Sequence, residues 1–552
     1  MPQTEFKLFA PYNKAATVLG SFSDWQDIDM EKGEDGYFRV KVDLEDGIYQ
    51  YRFKVQSKSW FLKPDQWVEI NDPYMTEMDM KTEKGIIHIK NSQIVRDTYE
   101  WKHDDKPLPA NEELVMYELH IADFVGGELD DRTKLKRLTE KLDYLVELGV
   151  NAIELMPITE YAGNYRWGYL VRYYFALESS YGAPEDFKRF VDECHSRGIR
   201  VILDGIYNHT DDRSPLLYID RDYWYYHDKH YPEDPANYWG PELNYEVYDE
   251  KLDIRPAWEF FKDVVQFWIQ EYHIDGIRYD AVRQLANYEF LGWLVQQADA
   301  VIGNRPFYHI AEHIPDSSEV VKPKGVFEGC WHESFRFFLK NVILGDEFDL
   351  NELKSAIDFK QQGYAKTTNV LNYLATHDRE HMIVELGDKG IFGKPAFDRV
   401  KLGLVLQITT PGIPLIWMGD EFGQASHKAS ATSDPNPLDW SLLNHDLNKD
   451  LLEFYKRTIA LRKQIPALLT DNIEFFYEDG ENSILSYVRW NDEGSQAVVI
   501  ANLGDRSFPE YEISHFPSDG LWKDSLNGST AEAKDGKLTI ELLPFSAQVF
   551  TR

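Results

Sequence analysis

Between residues 114 and 464, short apolar runs alternate with stretches of helical period, and no other feature of this 552-residue chain constrains its fold as tightly. Residues 115–119, 152–156, 200–204, 276–280 and 308–312 read as strands, and 326–328, 370–376 and 413–418 bring the number to eight. Helical patterns lie between them: over 256–273, Trp258, Phe261, Val265, Trp268 and Tyr272 recur on one face. Strands separated by helices pair in parallel through right-handed crossovers, because each connection must travel back across a face of the sheet. Eight such units predict a closed (β/α)8 barrel, whose functional residues gather at the C-terminal strand ends.

The flanks change period. Residues 1–96 hold short alternating runs at 6–9, 16–19, 37–42, 49–55 and 86–89, separated by Gly, Asp and Asn turns, and predict an N-terminal β-sandwich. A polar, Pro-containing linker follows over 97–113, and the barrel spans 114–464. Residues 465–552 return to short strands (483–488, 497–501, 537–542, 547–550) and predict a C-terminal β-sandwich. A chain of this length exceeds one core, so several domains are expected. The longest barrel insertion, 210–255, carries Tyr218, Tyr223, Trp224, Tyr225, Tyr226, Tyr231, Tyr238 and Trp239. Loops this long in compact domains are commonly functional, although the rings alone could hold such an insertion together.

Charge and cysteine content narrow the partners. Acidic residues outnumber basic ones by 94 to 59, a formal net charge of -35. A field of that sign repels phosphate backbones and anionic lipid, so neither nucleic acid nor a membrane is expected as a partner. No uncharged apolar run is long enough to cross a bilayer, and residues 1–5 lack the basic and apolar regions of a signal peptide. Cys194 and Cys330 lie far apart and imply no disulfide framework. Together these features predict a cytoplasmic protein.

Four segments set an acid at or near a predicted strand end. They are Asp204-Gly205-Ile206-Tyr207-Asn208-His209, Gly276-Ile277-Arg278-Tyr279-Asp280, His309-Ile310-Ala311-Glu312 and Ala375-Thr376-His377-Asp378. Arg278 stands two positions before Asp280, so both side chains point to the same side of one strand. An Asp–Arg pair on a strand is by itself usually a structural ion pair. In order, spacing and intervening residues, however, the four segments resemble the signature regions of the α-amylase superfamily, glycoside hydrolase family 13. The resemblance implies that Asp280 is the nucleophile, Glu312 the general acid/base and Asp378 the third acid that stabilises the transition state. It further implies that His209, His377 and Tyr169 contact the sugar in subsite -1, that Arg278 serves the nucleophile, and that Asp204 orients Arg278. Retention requires an ionised nucleophile beside a protonated acid, and a neighbouring cation is the expected means of holding the nucleophile's pKa low.

The resemblance extends to the N-terminal region, where Gly20-Ser21-Phe22-Ser23-Asp24-Trp25 and Gly47-Ile48-Tyr49-Gln50-Tyr51-Arg52-Phe53 look like the glycogen-binding modules that precede many such barrels. Trp25, Trp60, Phe61 and Trp67 would then either stack on sugar rings or pack the module, and the rings of 210–255 would either line a cleft or pack. Within the family, Trp167-Gly168-Tyr169, residues 180–186 and residues 239–245 look like branching enzymes and maltooligosyltrehalose trehalohydrolases. Residues 410–414 and 419–421 are of a kind found across the hydrolases. Three positions depart from the subgroups: Arg283 and Gln284 replace the Lys-His of many α-amylases, and His313 stands where branching enzymes tend to carry a second acid. The expected activity is hydrolysis of α-1,4-glucans or maltooligosaccharides, with branching as the alternative, trehalohydrolysis third, and a catalytically silent glucan-binding protein as the reading from another class. No cofactor is required by this chemistry. A structural calcium, for which Asn208 matches one family ligand, stays open, as does the oligomeric state.

Overall fold

The computed structural model describes residues 3–96, 99–128, 131–163, 167–228, 230, 238–429 and 432–552. Eight parallel strands close a barrel: β1 (Met116–Leu119), β2 (Ala152–Leu155), β3 (Arg200–Gly205), β4 (Gly276–Tyr279), β5 (Tyr308–Ala311), β6 (Gly329–Trp331), β7 (Val370–Tyr373) and β8 (Ile413–Trp417). Strand β8 pairs back onto β1, with Glu118 opposite Trp417. The sixth strand differs from the expected 326–328. There the amides of Val326 and Phe327 both turn to the Val320 carbonyl, so this apolar run closes a local turn. The first bond toward β5 is made by the Glu328 amide to His309 O at 3.0 Å.

Alternate residues of each strand face the barrel interior. The lower interior is apolar, built from Met116, Ala152, Ile202, Ile310, Leu371, Leu415 and their neighbours. One step of two residues toward the C-terminal end, the same inward rows become charged: Met116 is followed by Glu118, Ala152 by Glu154, Ile202 by Asp204 and Ile310 by Glu312. On β4 the row runs Gly276, Arg278, Asp280. Gly276 leaves room where the strands crowd, because a Cβ there would sit 2.8 Å from Tyr308 O and 2.9 Å from Ile202 Cγ1.

Helix α1 (Pro215–Trp224) lies in the long insertion, and α2 (Pro256–Tyr272) follows it. Proline at the start of α2 supplies a pre-set φ where no amide partner is needed, and Trp258, Phe261, Val265, Trp268 and Tyr272 are buried as their spacing predicted. In the insertion, Tyr223, Trp224 and Tyr225 are core residues. The Trp224 ring packs 6.2 Å from Phe9 of the N-terminal domain and 5.9 Å from Phe260 of α2. A cleft-lining role for Trp224 is therefore excluded: it joins the sandwich to the barrel. Tyr238 and Trp239 remain exposed, at 52% and 41%. Tyr231 and the linker residue Asp97 lie outside the described residues.

The N-terminal domain pairs a three-stranded sheet containing Thr4–Phe9 and Tyr37–Val42 with a seven-stranded sheet containing Ala16–Gly20, Gly47–Gln56 and Lys84–Lys90. Its Trp60 and Phe61 are exposed but lean on the barrel insertion, Trp60 stacking on His227 at 5.2 Å and Phe61 meeting Tyr218 at 5.7 Å. Trp67 is exposed as well, and Trp25 lies under Lys84 Nζ at 3.3 Å. The linker is tied down, since the amides of Lys102 and His103 both donate to Asp192. The C-terminal domain packs a six-stranded against a two-stranded sheet around Val498, Ile500, Trp522 and Leu538. Cys194 and Cys330 are both free and buried. Among the described residues no helix is long and apolar enough to cross a membrane.

Candidate active site

Parallel pairing of β3 with β4 sets Asp204 opposite Arg278. Arg278 is fully buried, and its Nη1 donates to both Asp204 oxygens at 2.6 and 2.7 Å and to Asp280 Oδ1 at 2.9 Å. Its Nη2 lies 3.1 Å from Glu312 Oε2, an ion pair that lacks hydrogen-bond alignment. The guanidinium face rests on Trp331, 4.4 Å from the ring centre, which holds the cation without competing for its donors. One cation thus serves three carboxyl groups from three strands.

The turn after β4 brings the two reacting carboxyls together. The Asp280 amide donates to Gly205 O, and Ala281 then adopts a left-handed conformation at φ 50°. For a residue with a side chain this is a strained state of the kind found at functional sites. It turns the Ala281 amide to Glu312 Oε2 at 2.8 Å, while the Glu312 amide reaches back to Tyr279 O. Burial, then the charge of Glu312, push Asp280 well above the ordinary carboxylate range, outweighing Arg278. The expectation that the neighbouring cation would hold Asp280 low is therefore corrected: burial and the facing Glu312 carboxylate outweigh Arg278 and favour the protonated form of Asp280 in the empty site.

Asp378, five residues past β7, stands at the mouth with 41% of its side chain open to solvent. Burial pushes its carboxyl up, but His377, Arg278, Lys428 and Arg379 together bring it below the usual range. His377 is buried beside it, stacked on Tyr169 with ring centres 5.2 Å apart. The Tyr169 hydroxyl donates to Asp204 Oδ2 at 2.7 Å and lies 2.9 Å from His377 Nε2. His209 is buried nearby, with its pKa lowered to about 4 by desolvation, and its Nε2 has no hydrogen-bond partner among the described residues. Its ring lies 5.7 Å from the exposed Trp239. The structure thus brings Tyr169, Asp204, His209, Arg278, Asp280, Glu312, His377 and Asp378 to one end of the barrel.

On the Glu312 side, Arg283 and Gln284 belong to the short helix α3 (Val282–Leu285). Arg283 donates to Ile314 O at 3.1 Å, tying the loop after β4 to the loop after β5, and His313 Nδ1 lies 2.7 Å from Pro315 O. The Asn208 side chain is engaged with His209. Among the described residues no group of three or more His, Cys, Asp or Glu side chains could hold a metal ion.

Two buried carboxylic acids escaped the sequence reading. Glu118 on β1 and Glu154 on β2 stand opposite each other in register beneath the site. Glu118 Oε1 lies 2.6 Å from His377 Nδ1. The available signal was a lone acid inside an otherwise apolar strand, Met116-Tyr117-Glu118-Leu119 and Ala152-Ile153-Glu154-Leu155. Such a residue needs a buried partner or a proton.

A closed parallel barrel with clustered acids at its C-terminal mouth and β-domains on both flanks defines a barrel protein with a carboxylate active site at its C-terminal strand ends. Three family models match in series: carbohydrate-binding module 48 (isoamylase N-terminal domain) over residues 1–75, the alpha amylase catalytic domain over 119–239, and the alpha amylase C-terminal all-beta domain over 477–552. The chain belongs to the α-amylase superfamily, glycoside hydrolase family 13. It is 26% identical to a 1,4-alpha-glucan branching enzyme of Bacillus cereus, over 98% of this chain and 87% of that one. It is also 26% identical to a malto-oligosyltrehalose trehalohydrolase of Saccharolobus solfataricus, over 83% and 85%. In structure it is similar to a type I pullulanase from Bacillus subtilis complexed with maltose, with a TM-score of 0.83 and 22% identity over 100% of this chain and 84% of that one.

Proposed function

We propose that the chain is a retaining glycoside hydrolase that cleaves α-1,4-glucosidic bonds of starch- or glycogen-type glucans or of maltooligosaccharides. The observation that carries this reading is the direct apposition of Asp280 and Glu312 on one guanidinium. Retention needs carboxyls about 5–5.5 Å apart, whereas inversion needs roughly 6.5–9.5 Å to admit a water between them. In its ionised form, with its proton passed to the adjacent Glu312, Asp280 attacks the anomeric carbon as Glu312 protonates the glycosidic oxygen. The bond to the leaving sugar breaks and a glucosyl ester on Asp280 forms. Glu312, now a base, takes a proton from water, whose oxygen attacks the anomeric carbon, breaks its bond to Asp280 and returns the product with its original configuration while Asp280 leaves as the carboxylate. Arg278 favours the ionised form of Asp280 in the first step. Asp378 balances positive charge that develops at the ring, and Tyr169, His209 and His377 supply the stacking face and polar contacts for the sugar in subsite -1.

A second reading, transfer of the glucosyl ester to a sugar 6-hydroxyl, is favoured by the end-to-end match to a branching enzyme. Trehalohydrolysis ranks third, on a match of smaller coverage. The loop segments beyond Glu312 that carry Arg283 and His313 are the place where acceptor choice would be decided. The test is incubation with amylose while reducing ends and α-1,6 linkages are followed together. Rising reducing ends without new branches support hydrolysis, new α-1,6 linkages with little reducing-end gain support branching, and an inert wild type would favour a binding protein.

A further inference from the structure

Beneath the mouth, the hydrogen-bond directions fix more than position. Tyr169 has one hydroxyl proton, and at 2.7 Å from Asp204 Oδ2 it is given to a carboxylate that already accepts twice from Arg278. The Tyr169 oxygen can then only accept from His377, whose Nε2 lies 2.9 Å away, so Nε2 carries a hydrogen. The other nitrogen, Nδ1, faces Glu118 Oε1 at 2.6 Å, a length typical of a charge-assisted bond. Glu118 is buried beneath the site, and among the described residues its Oε2 has no hydrogen-bond partner, so the imidazole is what balances it.

We propose that Glu118 is a positioning residue that keeps His377 doubly protonated, so that the ring enters the reaction as a cation donating from Nε2 toward Tyr169 and the sugar. This rests on the reading of His377 as a contact to subsite -1. The groups that face His377 are Glu118 from β1, Tyr169 from the loop after β2, Asp204 from β3, Arg278 from β4 and its neighbour Asp378, 3.6 Å from Nε2. Glu154, across from Glu118 on β2, is pushed well above the ordinary range by burial and by Glu118 itself, while burial raises Glu118 against the opposing pull of His377 and Arg278. Burial opposes the charged ring, but Asp378 and Glu118 together raise His377 to about 9. Arg278, the remaining neighbour, works against the charge and makes both carboxylates necessary.

Histidine-labelled full-length protein tests this by nitrogen NMR, with the His377 signal assigned by its loss in His377→Asn. In wild type the ring should stay in the imidazolium form at pH 7.5 and titrate near pH 9, well above a free histidine. In Glu118→Gln, which keeps the shape and removes the charge, it should titrate at or below the free value. A neutral His377 in wild type at pH 7.5, or an imidazolium at that pH in Glu118→Gln, overturns the proposal. The wild-type measurement decides even if the variant fails to fold. A parallel arm reads kcat/KM on maltooligosaccharide: Glu118→Gln should lose at least about 10-fold at pH 8 and less than about 3-fold at pH 5.5. If the NMR shift occurs without that loss, the pairing of Glu118 with His377 stands and the role of His377 at the sugar falls.

Discussion

Replacing Arg278 with leucine should destabilise the barrel by an amount that grows with pH. Among the described residues the guanidinium is the only cation paired with Asp204, Asp280 and Glu312. Removing one member of a buried ion cluster costs roughly 3–5 kcal/mol, because the charge left behind has neither water nor partner. The pH dependence follows from proton binding. Burial already raises Asp204 and Asp280 above their ordinary values, and the charge of Arg278 works against that rise in both. An acid with a raised folded pKa binds more protons folded than unfolded, so its contribution to stability falls as pH rises past the unfolded value. Without Arg278 both acids move further up, so the folded variant binds more protons than wild type as pH rises. Each extra proton costs about 1.4 kcal/mol per pH unit relative to wild type, up to the full loss. Urea unfolding followed by tryptophan fluorescence at pH 5.5, 6.5 and 7.5 reads this directly. The deficit of Arg278→Leu should be small at pH 5.5 and several-fold larger at pH 7.5. A deficit that is constant, or that shrinks as pH rises, would refute the assignment of Arg278 as the counter-charge of this cluster.

Asp280→Ala and Glu312→Ala should each lower kcat by at least about 1000-fold while circular dichroism stays native, and near-normal turnover in either would remove that residue from its role. Trp239→Ala should raise KM for long glucans more than for short ones. Trp224→Ala, which empties a core position between two domains, should instead cost roughly 3–5 kcal/mol with KM unchanged, read by thermal unfolding and initial rates. Gly276→Ala should cost about 1–3 kcal/mol through the clash with Tyr308 O, and a stability equal to wild type would mean that β4 can shift at no cost.

Much of the fold was legible because periodicity is a local property. The alternation over 114–464 specified parallel strands and covering helices, and α2 could be placed because its apolar residues repeat at 3.6. The sixth strand was misplaced because three apolar residues can satisfy their amides in a turn as readily as in a ladder, and only the neighbouring carbonyls of Val320 and His309 decide which. The aromatic insertion was ambiguous for a similar reason. A tryptophan has the same chemistry whether it packs or binds, and burial against Phe9 and Phe260 is what separates Trp224 from Trp239.

The sequence by itself determined which acids lie at strand ends, that Arg278 and Asp280 share a side of one strand, and that the family is one of glycosidase-type barrels, since these depend on order and spacing along the chain. Only the tertiary structure decided the protonation pattern. That Asp280 and Glu312 face each other on one guanidinium, that His377 sits between Glu118 and Tyr169, and that burial and Glu118 push Glu154 up all depend on distances between residues of different strands. Electrostatic energies in a low-dielectric interior change by kilocalories over an ångström. A linear pattern can name the charged groups, but the closed barrel alone fixes which of them must keep a proton.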